Sequence, residues 1–145
     1  MDKADYGSEL GIEVIDRDHR EISELLVEIN VHTEREGEAG RKILLLGNLA
    51  RASRSHFLLE EWMMGATNYP GLAQHRMRHA WMLEEIGRLA EYWGKKKNVL
   101  TREPMGLLWE SHIEHVECED QAYGLWLGNT GAGSAQIRAF FLMDR

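Results

Sequence analysis

Five of the seven histidines of this 145-residue chain, with one glutamate and one aspartate, are spaced as they would be on the inward faces of helices. His56 and Glu60 are four apart, as are His75 and His79; His19 stands alone upstream, and His115 precedes Asp120 by five. Residues four apart on a helix differ by only about 40° in direction, so both side chains reach one centre. At an interval of five, His115 and Asp120 should diverge more, which suits ligands addressing different positions around a pair of metal ions. Imidazole suits iron, copper and zinc, and carboxylates add the negative charge that buried divalent ions need. A carboxylate can also join two metals through its two oxygens, and Glu60 and Asp120 are on different helices, placed to do so.

Taken singly, each residue has a plainer reading. A histidine on an apolar stripe is more often a hydrogen-bonded core residue than a ligand, and a lone Glu60 or Asp120 more often a surface charge. Five histidines on four inward stripes would need independent accidents that also agree in axial level. A histidine- and carboxylate-lined core is costly to bury unless something neutralises it, and metal does so.

The elements that must carry these residues follow from periodicity. Helices are predicted over roughly 16–36, 40–65, 70–93 and 102–127, with glycines between them and both prolines, Pro70 and Pro104, where a helix should begin. Ile15, His19, Ile22, Leu26 and Ile29 form one stripe, and Leu45, Leu49, Ala52, His56, Leu59 and Met63 a second. His75, His79, Met82, Ile86, Leu89 and Trp93 form the third, and Leu108, His112, His115, Ala122 and Trp126 the fourth. Four helices with short connections predict an all-α, up-down-up-down antiparallel four-helix bundle. The bundle and a short N-terminal arm occupy 1–127. Residues 128–145 form a tail or short helix, apolar over Ile137–Met143, that packs on the bundle or meets a partner or a second copy.

In this order the motifs resemble those of the bacterial hemerythrins. The resemblance runs from about Leu10 to Leu127. It rests on Ile15-Asp16-Arg17-Asp18-His19-Arg20 with Asn30, then His56-Phe57-Leu58-Leu59-Glu60-Glu61-Trp62-Met63-Met64, Tyr69-Pro70, His75 and His79, and His115-Val116-Glu117-Cys118-Glu119-Asp120 with Tyr123. It implies two non-haem iron ions with a hydroxo or oxo bridge. His75, His79 and His115 would hold one iron, and His19 and His56 the other, which keeps an open position. Glu60 and Asp120 would bridge both, and Glu61 would not be a ligand. The implied function is reversible binding of dioxygen for storage, delivery or sensing. Ile22, Leu59, Met63 and His112 are the expected pocket lining.

His112 and Glu117 repeat the five-residue interval one turn earlier. Asp120, Tyr123 and the near-equal intervals from His19 to His56 and from His79 to His115 favour the later register. His112 is then either a residue beside the site, where the family more usually has an apolar one, or an exposed or merely packed histidine. His32 is expected at the surface. Di-iron oxidases built on bundles use several glutamates and Glu-x-x-His pairs, and this chain has no Glu-x-x-His. A carrier is therefore expected rather than an enzyme; a di-iron peroxidase or oxidase, or a nitric-oxide-handling protein, is the alternative.

Composition narrows the setting. A net charge of −7 argues against a nucleic-acid surface. The polar start, MDKADYGSEL, does not read as a signal peptide, and the longest apolar run, around Ile43–Leu46, is too short to cross a bilayer. One cysteine, Cys118, excludes an internal disulfide and fits a reducing compartment. The expectation is a soluble, cytoplasmic protein without membrane contact.

Overall fold

The computed structural model describes residues 10–33, 39–95 and 102–130 and is helical nearly throughout these segments. Helix α1 spans Glu13–Thr33, α2 Ala39–Ala66 and α3 Leu72–Lys95. The fourth helix is built in three parts: α4 (Arg102–Glu114), a π-helical turn over His115–Asp120, and α5 (Gln121–Thr130). It runs three residues past the expected end at 127. The apolar stretch Ile137–Met143 and the side chain of His32 lie outside the described residues. α1 packs on α2, α2 on α3, α3 on α4 and α4 back on α1, closing a four-helix bundle. Among the described residues no helix is long and apolar enough to cross a membrane.

The core is divided along its length. One apolar layer joins Ile22, Leu26 and Ile29 with Leu45, Leu46 and Leu49, Ile86, Leu89 and Trp93, and Met105 and Leu108. The other joins Ile15, Met63, Met64, Tyr123 and Leu127. Late α1 thus meets early α2, late α3 and early α4, and early α1 meets late α2 and α5. Between the layers lie the buried histidines and acids.

The α3 stripe is buried as its period of 3.6 requires. The α1 stripe is buried too, joined by Asp16 and Ser23; in α2, Ala52 and Leu59 are only half-buried. The fourth stripe departs from expectation after His115. Ala122 is exposed and Trp126 half-buried, and Asp120, Tyr123 and Leu127 face inward instead. The π turn is the reason. Its closing N–H, from Gln121, reaches back five residues to the Val116 carbonyl. Residues five apart diverge by about 140° on an α-helix, but a turn closed at five brings Asp120 back beneath His115. The divergence expected of this pair is therefore removed by the backbone.

Helix ends are fixed at the second of these layers, the lower one, that of Ile15, Met63 and Tyr123, with that of Ile22 and Leu26 the upper, and this sets where α3 starts. Asn68, at φ 56, takes the left-handed position just after α2. Its N–H bonds the Gly65 carbonyl at 3.2 Å and that of Tyr69 bonds Met64 at 2.9 Å, the paired bonds that close a helix C-terminus. The Thr67 hydroxyl donates to the Met63 carbonyl at 2.8 Å and accepts from the Tyr123 hydroxyl at 2.9 Å, tying α2 to α5. At the start of α1 the Asp16 carboxylate accepts the N–H groups of Leu10 and Gly11 at 2.7 and 3.0 Å. That bend seats Leu10 over Gly124.

Gly71 is the tightest point in this corner. A Cβ there would lie 2.6 Å from the Tyr69 ring, which is held edge-on against Tyr123 and Trp126. Gly71→Ala should destabilise the fold by about 1–3 kcal/mol through overpacking, read as a drop of several degrees in thermal melting. An unchanged melting temperature would show that the ring moves freely.

Candidate metal centre

All seven expected ligands converge between the two apolar layers, each at most 3% exposed. His19 comes from α1, His56 and Glu60 from α2, His75 and His79 from α3, and His115 and Asp120 from the two ends of the π turn. They form two groups that share both acids: Glu60, His75, His79, His115 and Asp120; and His19, His56, Glu60 and Asp120. In each, one donor atom per residue lies within 4.8 Å of all the others.

Each carboxylate is divided between the groups. Glu60 Oε1 is 3.1 Å from His56 Nε2 and 3.5 Å from His19 Nε2, whereas Oε2 is 3.2 Å from His79 and 3.5 Å from His75. Asp120 repeats the pattern, with Oδ2 at 3.1 Å from His19 and Oδ1 at 2.8 Å from His75 and 3.1 Å from His115. Atoms bound to one first-row metal at about 2.1 Å stand about 3 Å from each other, the spacing seen here.

The outer nitrogens explain why the inner ones are free. His79 Nδ1–H donates to Glu61 at 2.9 Å, His115 Nδ1–H to Glu119 at 2.9 Å, and His56 Nδ1–H to Asp18 at 3.3 Å. With the ring proton outside, each neutral imidazole aims an Nε2 lone pair inward. His79 Nε2 and His115 Nε2 face each other at 3.0 Å, a contact that a proton bridges in the metal-free chain and that a metal ion would take over. His19 Nε2, His56 Nε2, His75 Nε2, Glu60 Oε2 and both Asp120 oxygens are buried without a hydrogen-bond partner. Buried donors and acceptors left so are costly, and this set fits a metal centre.

Electrostatics say the same of the metal-free chain. Burial opposes charge on His56, but Glu60, Asp18 and Asp120 outweigh it and raise its pKa to about 10. His115 rises to about 10 and His75 to about 9 against the same penalty, chiefly through Asp120, and His19 rises as well. Burial would raise Glu60 and Asp120, yet the surrounding imidazoles hold both below the usual carboxylate range. Without metal, protons supply the positive charge that the acids require.

The sequence did not identify Asp18 and Glu119 as partners of these rings, and Glu61 was seen only as a non-ligand. All three carboxylates belong to the site through Nδ1. Arg78 holds Glu119 at 3.5 Å and lies over the Trp81 ring, bracing this rim. Phe57 stacks on His79, with centroids 3.9 Å apart and planes 8° from parallel. Glu117 is exposed, which excludes the earlier register. His112 is buried and bonded to Ser23, not exposed. The expected pocket residues do not share one wall: Ile22 belongs to the upper layer and His112 bonds α1 just above His19, whereas Leu59 and Met63 pack with the lower one. Axial position separates them, because Met63 is one turn below Glu60 and Ile22 one turn above His19.

Comparison with known proteins agrees with the geometry. Residues 10–127 match the family model described as the hemerythrin HHE cation binding domain. The chain is 30% identical over 117 residues to a protein named Bacteriohemerythrin from Stenotrophomonas maltophilia (strain R551-3), covering 79% of this chain and 73% of the relative. No solved structure matches it. A four-helix bundle with a buried cluster of histidines and acids able to hold metal, matched over most of its length, places this chain in the hemerythrin family.

Proposed function

We propose that the centre holds two iron ions and binds dioxygen reversibly, for storage, delivery or sensing. The observation that carries the two-ion reading is the division of Glu60 and Asp120, each with one oxygen toward either histidine group. His75, His79 and His115 would hold one ion and His19 and His56 the other, with both acids shared. Three imidazoles against two leaves the second ion the open position. The donor set is nitrogen and oxygen alone, which suits iron; Cys118 is exposed and free. A ferrous pair, when bound, supplies the two electrons that dioxygen takes up on binding, without a porphyrin.

The chain's own residues do the rest. Two carboxylates would offset about half the charge of two divalent ions inside a low-dielectric core, and five neutral imidazoles would complete their coordination. The apolar layers above and below keep bulk water from the centre. Asp18, Glu61 and Glu119 fix the ring orientations from outside. A cytoplasmic location fits the free thiol. One observation favours the enzymatic alternative, a peroxidase or oxidase: the buried Ser23–His112 pair could carry a proton.

Metal analysis should find two irons per chain. Stopped-flow mixing of the reduced protein with oxygen should give a coloured species that persists and bleaches under vacuum. Rapid conversion to the diferric form with peroxide release would instead make it an enzyme. Glu61→Gln should weaken iron retention about tenfold, the usual order for such an outer partner, in competition with a chelator, while helical content stays unchanged. Equal retention would remove Glu61 from the site.

A further inference from the structure

One buried polar pair above the metal cluster has no part in holding it. Ser23 is fully buried and His112 nearly so, and Ser23 Oγ lies 3.1 Å from His112 Nε2, joining α1 to α4. Ser23 is one turn beyond His19, and His112 is one turn before His115. The His112 ring stands edge-on to that of His19, with centroids 6.3 Å apart. Beyond the pair lies the apolar layer of Ile22, Leu26, Met105 and Leu108. An isolated polar pair there forgoes the packing an aliphatic pair would give.

Its chemistry is adaptable without charge. When the imidazole N–H donates to Ser23 Oγ, the hydroxyl hydrogen is left for a third atom. When the hydroxyl donates to Nε2, a serine lone pair is left to accept. A cleft of about 440 Å³ lies between α1 and α2, lined by apolar Ile22, Leu25 and Ala52 and by polar Asp18, Glu21 and Arg51 among others. Its wall residue Asp18 is the partner of His56.

We propose that Ser23 and His112 hydrogen-bond the outer atom of a small diatomic or triatomic ligand held beside His19 and His56, and so select ligands whose outer atom can take that bond. The inference rests on the two-ion reading above. It makes this end of the centre polar at a position where an aliphatic residue would select by size alone.

The test uses the diferric full chain, with azide and chloride as probes. Azide has an outer nitrogen that accepts a hydrogen bond; chloride has no outer atom. His112→Leu and Ser23→Ala should each weaken azide binding about tenfold, the worth of one hydrogen bond to a charged group, and change chloride affinity less than about twofold. His112→Gln, whose amide still reaches Ser23, should recover most of the azide affinity. Iron content, measured on every preparation, should remain at two per chain. Unchanged azide affinity in His112→Leu and Ser23→Ala at full iron content overturns the inference, as does an equal loss for azide and chloride. Loss of iron on His112→Leu alone overturns it too, by making His112 a ligand. Absence of iron from the unaltered chain is a separate result that refutes the two-ion reading itself.

Discussion

His75→Ala protein should carry at most one iron per chain in place of two, and Glu60→Ala protein should carry almost none. His75 supplies an Nε2 to one histidine group only, so its loss leaves His19 and His56 with both acids intact. Glu60 presents an oxygen to each group, so its loss removes a donor from both ions and half of the centre's negative charge. The second substitution should also destabilise the fold more. His56 and His75, held protonated in the metal-free chain partly by Glu60, would keep buried charge without their partner. Breaking such a pair costs about 3–5 kcal/mol, which corresponds to a fall in melting temperature on the order of 10 °C. Met77→Ala, at a residue 75% exposed on the same helix as His75, should leave both iron content and melting unchanged. Elemental analysis together with circular dichroism reads both effects. Two irons retained in His75→Ala would remove that residue from the centre and undo the division into groups.

The ligands were legible because their types and intervals agreed across four stripes, each of which a period of 3.6 could place. That period also set the helix ends to within a few residues. Where the backbone leaves the period, reading by period fails. The π turn at His115–Asp120 shifts the inward face from Ala122 and Trp126 to Tyr123 and Leu127, and no residue type there announces the extra closing residue. Residue type and interval singled out Asp120, and the resemblance implied it as a ligand, but only the π turn explains how a residue five positions on can face the same cavity.

The outer carboxylates were illegible for a different reason. Asp18, Glu61 and Glu119 sit at the rim of the stripes, partly exposed, where an acid ordinarily faces water. Two of the three serve a histidine on another helix: Asp18 is beside His19 in sequence but bonds His56, and Glu61 follows Glu60 but bonds His79. Such pairings depend on how helices are rotated against one another, which one-dimensional spacing does not encode. The same limit divided the expected pocket. Ile22 and Met63 both lie one turn from a ligand, but on opposite sides of it, because the chain passes the centre in one direction on α1 and returns on α2.

Loading iron into the metal-free protein at pH 7 should release protons, up to one from each of His56, His75 and His115, with a further contribution from His19. All four have raised pKa values in the folded metal-free chain, to about 10, 9 and 10 for His56, His75 and His115. His56, His75 and His115 therefore carry protons at pH 7 that a metal must displace. Because these folded values exceed the ordinary 6.5, their contribution to stability is complete below pH 6.5 and is lost as pH rises through 9 to 10. Glu60 and Asp120 work in the opposite sense. Their values lie below the ordinary 4.5 and 3.8, so their contribution is present above that range and is lost in acid. The metal-free fold should thus be most stable between about pH 4.5 and 6.5 and weaken steadily toward pH 10. With ions in place the imidazoles are already neutral, and rising pH removes the protons that compete with the metal. The gap in melting temperature between loaded and metal-free protein should therefore widen from pH 6.5 to about 9.5. A gap that stays constant or narrows, with no proton release on loading in weakly buffered solution, would mean that the histidines face the cavity uncharged before metal arrives.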